Sequence, residues 1–69
     1  SCKSTLALDL PNLGKIIFHI VMNRDRIHIQ IEVASRQSRQ VVEGAVPKLR
    51  NHFDSYTNKL DHISVLKNG

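Results

Sequence analysis

The sequence predicts an α+β domain: a small antiparallel sheet in the order β-β-β-α-β, with one long helix on one face. Three stretches alternate apolar and polar residues, which is typical of half-buried antiparallel strands. A later stretch repeats its apolar residues every three or four positions, which is typical of a helix that packs on a sheet. With 69 residues the chain is one domain, 1–69, and we expect its first residues, 1–4, to form a frayed end.

The three alternating stretches supply one shared apolar face. The first is TLALDL, the second KIIFHIVM and the third RIHIQIEV, which alternates most cleanly. Successive side chains of a strand point to opposite faces, so every second residue lies on the same side of the sheet. The residues predicted for the core side are Leu6, Leu8, Leu10, Ile16, Phe18, Ile20, Met22, Ile27, Ile29, Ile31 and Val33.

The connections between these strands set the register. If Met22 faces Ile27, every core residue of the second strand faces a core residue of the third, whereas a slip by one residue would mix the two faces. This predicts a four-residue loop, 23–26, of the kind that is usually built on a type I turn. Between the first two strands, LPNLG is a turn in which Pro11 fixes φ and Gly14 tolerates unusual backbone angles.

A helical stripe follows the third strand. Its residues are Val42, Val46, Leu49, Phe53 and Tyr56, spaced 4, 3, 4 and 3 along the chain. Ser35 is a suitable N-cap for this helix. The stretch HISVLK then predicts a fourth strand, with Ile63 and Val65 on one face.

Pro47 stands inside the predicted helix, with Gly44 one turn earlier. A proline in a helix interior costs ~3 kcal/mol or more, and a glycine adds ~1 kcal/mol. Two short helices with Pro47 at the start of the second would avoid both costs. The apolar stripe nevertheless continues through Pro47 in phase, so the sequence favours one helix with a kink near Gly44.

Composition argues against an enzyme and against cofactor or metal sites. Ten Lys and Arg against six Asp and Glu give a net charge of +4, and the lone cysteine, Cys2, rules out an internal disulfide. The four histidines match no zinc spacing, and no nucleophile elbow or Gly-rich phosphate loop is present. His19, His28 and Glu32 share the outer sheet face, where a solvated polar face explains them better than a catalytic or metal site does. No apolar run approaches the ~18 residues of a membrane span, so we expect no stable membrane insertion.

A small basic RNA-binding α+β module is the alternative interpretation. Its basic stripe would comprise Arg24, Arg26, His28, Arg36, Arg39, Lys48 and Arg50. The outer sheet face lacks the aromatic stacking residues of an RNA-recognition sheet, and the sequence has no GxxG loop. We therefore do not expect a nucleic acid as the partner.

Several sequence features follow one another in a specific order along the chain. A leucine precedes a Pro-containing turn that ends in Leu-Gly; a hairpin follows, and then a helix with Arg, Glu and Pro at intervals of four and Leu-Arg shortly after. These positions are Leu8, Leu13, Gly14, Arg39, Glu43, Pro47, Leu49 and Arg50. The pattern, over residues 6–65, resembles the C-terminal substrate-specificity-switch domain of hook-length and needle-length control (ruler) proteins of type III secretion systems. It departs from that family at Thr57, where members often carry a glycine.

The resemblance implies a non-enzymatic, monomeric binding module at the C-terminus of a longer ruler protein. Such a module ends hook or needle elongation and switches export from early to late substrates. Its implied partner is the cytoplasmic domain of the export-gate switch protein. The implied location is the bacterial cytoplasm at the base of the secretion apparatus, followed by secretion through it.

Candidate partner-binding residues are those that the core does not need. On the helix side away from the stripe they are Arg36, Arg39, Glu43, Lys48 and Arg50. Ile17 and Val21 add apolar area to the outer sheet face and suggest a second contact surface there. Leu13, Gly14, Pro47 and Leu49 are interpreted as structural residues that set the turn, the kink and the core.

Overall fold

Four β-strands form one sheet, and a helix connects the last two. The computed structural model describes residues 2–24, 26–54 and 59–67. The elements are β1 (Cys2–Leu10), β2 (Gly14–Asn23), β3 (Arg26–Val33), α1 (Arg36–Asp54) and β4 (Lys59–Lys67). The predicted α+β class and its β-β-β-α-β order are confirmed.

The sheet is mixed, with the strands in the order β1-β2-β3-β4. The first three strands pair antiparallel, but β3 and β4 pair parallel, so the prediction of a purely antiparallel sheet is wrong for its last strand. The cause is the 19-residue helix. A helix of that length spans roughly 28 Å and carries the chain back to the end of the sheet where β3 begins.

The predicted register of β2 against β3 is confirmed. Met22 pairs with Ile27, and the pairing continues to Ile16 opposite Val33. The predicted four-residue loop is wrong, because the residues at its two ends, 23 and 26, themselves pair as part of the strands. Arg24 has a φ of 60°. A positive φ is typical of the tight primed turns whose twist matches that of the flanking strands, which a type I turn does not.

The turn between β1 and β2 depends on Gly14, which has a φ of 76°. A Cβ added to Gly14 would lie 3.6 Å from the Cβ of Ala34, an ordinary contact, so the backbone angle rather than space favours glycine here. Residues 2–4, expected at a frayed end, pair with residues 20–22 as the beginning of β1. Cys2 is exposed and has a free thiol.

The helix is continuous through Pro47, which confirms one helix over two short ones. Gly44 is exposed, and a Cβ added to it would have nothing within 4 Å. The kink near these residues stays a prediction. Tyr56, the last residue of the predicted stripe, and Thr57 lie outside the described residues.

Ser35 caps the helix, as predicted. The Ser38 amide donates to the Ser35 Oγ at 3.1 Å, and the Ser35 amide donates to the Ser38 Oγ at 3.2 Å. The Ser38 hydroxyl also donates to the Ser35 carbonyl at 3.1 Å, and the two hydroxyl oxygens lie 2.7 Å apart. This is a capping box in which serine replaces the usual Glu or Gln. Ser38 is fully buried, and these bonds satisfy its hydroxyl.

Replacing Ser35 with alanine should lower the free energy of unfolding by about 1 kcal/mol, because the first turn loses its cap. Urea unfolding followed by circular dichroism measures this change. Gln40→Ala is the matched control, since Gln40 is exposed within the same helix and outside the cap. Equal stability of the two variants would contradict the role of Ser35.

The core is small and lies between α1 and the inner face of the sheet. Its buried side chains are Ile16, Ile27, Ile29, Ile31 and Val33. The helix packs over β3 and β4, while the inner face of β1 is exposed. Leu6, Leu8 and Leu10 remain 51%, 39% and 37% exposed although they occupy the predicted core side of the strand.

Candidate partner-binding surfaces

The charged helix residues lie on two different sides of α1. Arg39 and Glu43 form an ion pair, with 2.6 Å between Nε and Oε1. With Val46 and two residues of β4, Ile63 and Val65, they line a shallow pocket between helix and sheet. These two of the predicted partner-binding residues therefore border β4.

Helical periodicity places the other charged residues. At 100° per residue, Arg36 and Arg50 fall on the same side as Arg39 and Glu43. Arg36 is exposed in the first turn, and Arg50 is half-buried and makes an interaction of its own. Lys48 is exposed, but it lies about 180° around the helix from Arg39. The single charged face expected from the sequence is thus a group of four residues, with Lys48 on the opposite side.

Ile17 and Val21 occupy the outer face of the sheet and are half-buried. Ile17 lines a small pocket with Lys15 and Glu32, and Val21 lines a larger one with the histidines of the same face. The helix packs on the other face. A flat partner therefore cannot contact these two residues and the charged helix side at once.

Three histidines lie together on this outer face. The Nε2 of His19 donates to the Oε2 of Glu32 at 3.1 Å, and the rings of His28 and His62 have centroids 4.7 Å apart. They line a pocket of about 340 Å³. Among the described residues, no group of three or more His, Cys, Asp or Glu side chains is placed to hold a metal ion. The alternation within β2 and β3 already predicted that His19, His28 and Glu32 share this face. His62 could be assigned to it only from the pairing of β4 with β3.

The residues interpreted as structural divide between core and surface. Leu13 and Leu49 pack against the buried cluster, and Gly14 takes the positive φ described above. Pro47 is exposed. Leu13 and Leu49 thus contribute to core packing and Gly14 to the turn, whereas the role of Pro47 stays a prediction.

An apolar groove was missed by the sequence reasoning. It has a volume of about 290 Å³ and lies between α1 and the inner side of β1 and β2, with Leu10, Phe18, Val41, Ala45 and Leu49 among its lining residues. Val41 is 52% exposed. The signal was present in the sequence, since Val41 is an apolar residue beside the helical stripe. What the sequence did not show was which strands the helix leaves uncovered.

Comparisons with known proteins give the family. A family model described as flagellar hook-length control protein FliK matches residues 2–69. A crystal structure of the PscP SS domain superposes with a TM-score of 0.75, covering 96% of this chain and 70% of that chain at 15% identity, which shows a shared fold. No curated protein sequence matches the chain significantly. Within the described part of the chain, no helix has the length and apolar content needed to cross a membrane. The match over almost every residue shows that the chain belongs to the flagellar hook-length control family.

Proposed function

We propose that this chain ends hook or needle elongation and switches export from early to late substrates by binding the cytoplasmic domain of the export-gate switch protein. The observation that carries the proposal is the family match over residues 2–69. The fold shared with the PscP SS domain is consistent with it. The binding takes place in the bacterial cytoplasm at the base of the secretion apparatus, and the protein is then secreted.

A binding role suits the described surface better than a catalytic one. The family name describes control of length rather than a reaction. The histidine pocket on the outer face is open, and His19 in its lining pairs with Glu32. The domain therefore offers surfaces to a partner rather than a reaction site to a small substrate.

The proposed contact surface is the charged helix side formed by Arg36, Arg39, Glu43 and Arg50. Arg39 and Glu43 are about half-exposed while they pair with each other. Such an exposed pair contributes little to stability, on the order of 0.5 kcal/mol. It is therefore available to exchange partners when another charged surface approaches.

Reversing two of these charges tests the contact surface. Arg39→Glu with Arg50→Glu should leave the domain folded, with a small loss of melting temperature. It should weaken binding to the export-gate domain and block late-substrate secretion, because reversed rim charges disturb electrostatic complementarity and slow association. The measurements are the melting temperature and late-substrate secretion of the same variant.

The matched control is Lys3→Glu with Lys15→Glu. Both lysines are exposed on the sheet, and the change in net charge is identical. Normal switching in the folded arginine variant, together with a block in the lysine variant, would move the contact to the outer face around Ile17 and Val21.

A further inference from the structure

The sheet is wider than the helix layer that covers it. Neighbouring strands lie about 4.8 Å apart and a helix with its side chains is about 10 Å across, so one helix covers roughly two strands. The sheet has four strands, and α1 packs over β3 and β4. The inner face of β1 is exposed, and on β2 Phe18 is half-buried although Ile16 is buried, so the incompletely covered part of the sheet has about the width of one further helix.

The groove is lined by apolar residues both where it borders α1 and where it borders the sheet. The helix contributes Val41 and Ala45, and the sheet contributes Leu10 and Phe18. Leu8 continues the same strand face toward the middle of β1 and is 39% exposed. Contiguous exposed apolar surface of this kind marks interaction sites in soluble proteins.

The charge beside the groove is positive. Lys48 follows Val41 by seven residues and Ala45 by three, so helical periodicity places it on the groove side of α1. Among the carboxylates whose side chains the structure describes, none lies beside the groove: Asp9 is opposite Lys15 in the strand register and, like Glu32, belongs to the outer sheet face, and Glu43 forms an ion pair with Arg39 beside β4. With a net charge of +4, the chain favours an acidic occupant.

We propose that this groove binds an amphipathic helix of a partner protein, with its apolar stripe against Val41 and Leu10 and acidic residues beside Lys48. The occupant lies next to α1 and completes a two-helix layer over the sheet. This groove is distinct from the charged helix side. Loss of the contact with the export gate would therefore not contradict peptide binding in the groove, and loss of peptide binding would not contradict that contact.

Peptide titration with this chain tests the proposal. The probe is a synthetic amphipathic peptide of about 18 residues, ~27 Å long as a helix, with leucines at i, i+3, i+4 and i+7 spacing and glutamates elsewhere. Two comparison peptides carry lysines in place of the glutamates, or the same residues in an order without a stripe. We expect the glutamate peptide to bind about tenfold more tightly than either. Amide chemical-shift changes should concentrate at Leu10, Val41 and Ala45.

Variants locate the site and its charge preference. Val41→Glu should weaken binding of the glutamate peptide about tenfold, and Lys48→Glu should remove the preference over the lysine peptide. Leu66→Glu is the control, since Leu66 is 43% exposed on the outer face and its replacement should change neither result.

Several results would overturn the proposal. These are equal binding of the glutamate and lysine peptides, shift changes confined to the outer face, and cross-strand contacts showing the peptide paired along the edge of β1. Concentration-dependent self-association that shifts the groove amides would show instead that a second copy of this chain is the occupant. Because these measurements use the unmodified chain, they test the proposal even if one of the variants does not fold.

Discussion

Replacing Ile31 with alanine should remove a large part of the free energy of unfolding of this domain. Ile31 is 1% exposed and lies on β3, where it pairs with Phe18 on one side and Val65 on the other. Removing a buried isoleucine side chain costs about 2–5 kcal/mol. A domain of this size has a stability near the low end of the usual 5–15 kcal/mol, so the loss is a large fraction of the total.

Urea unfolding followed by circular dichroism gives the free energy of unfolding of this variant. Leu66→Ala is the matched control because Leu66 is 43% exposed on the neighbouring strand, and it should change stability by less than about 1 kcal/mol. If Ile31→Ala lost no more stability than Leu66→Ala, the inner face of β3 would not be the centre of the core.

We further propose that this chain is the C-terminal domain of a longer ruler protein, and deleting it from that protein should give overlong hooks or needles and no export of late substrates. The proposed function predicts this because the export gate would never receive the contact that ends early export. Electron microscopy gives the length distribution, and immunoblotting of the culture medium gives late-substrate export. Ile31→Ala in that protein should give a milder form of the same two defects, since it raises the unfolded fraction of the domain and leaves almost the whole sequence in place.

Normal length and normal late export in the deletion strain would contradict the proposed switch. The surface control is Leu66→Ala in the full-length protein, which leaves the core intact. It should behave like the unmodified protein in both assays.

The pairing of β2 with β3 followed from the sequence because its physical cause is local. Alternating apolar residues place Met22 opposite Ile27, and any slip would bring polar side chains into the core. The loop length was predicted two residues too long because alternation does not mark the last paired residues. Asn23 and Arg26 are exposed polar residues whose pairing leaves no hydrophobic signal.

The direction of β4 did not follow from the sequence. The alternation of Ile63 and Val65 identifies their common face, but it is the same whether a strand runs parallel or antiparallel to its neighbour. Consequently His62 could not be placed beside His28. The pairing of β4 and the course of α1 depend on tertiary contacts between residues far apart in the chain.

For the candidate surfaces too, local sequence patterns predicted some features, and the others depended on tertiary contacts. Helical spacing predicted the common side of Arg39 and Glu43, and the ion pair between them confirms it. Lys48 was assigned to that side because it is charged, although its position in the helical period places it on the side of Val41. The exposed leucines of β1 were predicted for the core because alternation tells which residues share a face and not whether a helix covers that face.

Direct binding of this domain to the cytoplasmic domain of the export-gate switch protein is tested most directly by isothermal titration calorimetry of the two purified proteins. We predict saturable one-to-one binding with a Kd on the order of micromolar, weakened at least tenfold by Arg39→Glu with Arg50→Glu. Circular dichroism of the same samples shows whether each protein is folded. Absence of binding between two folded, unmodified proteins at concentrations well above micromolar would contradict the proposed function.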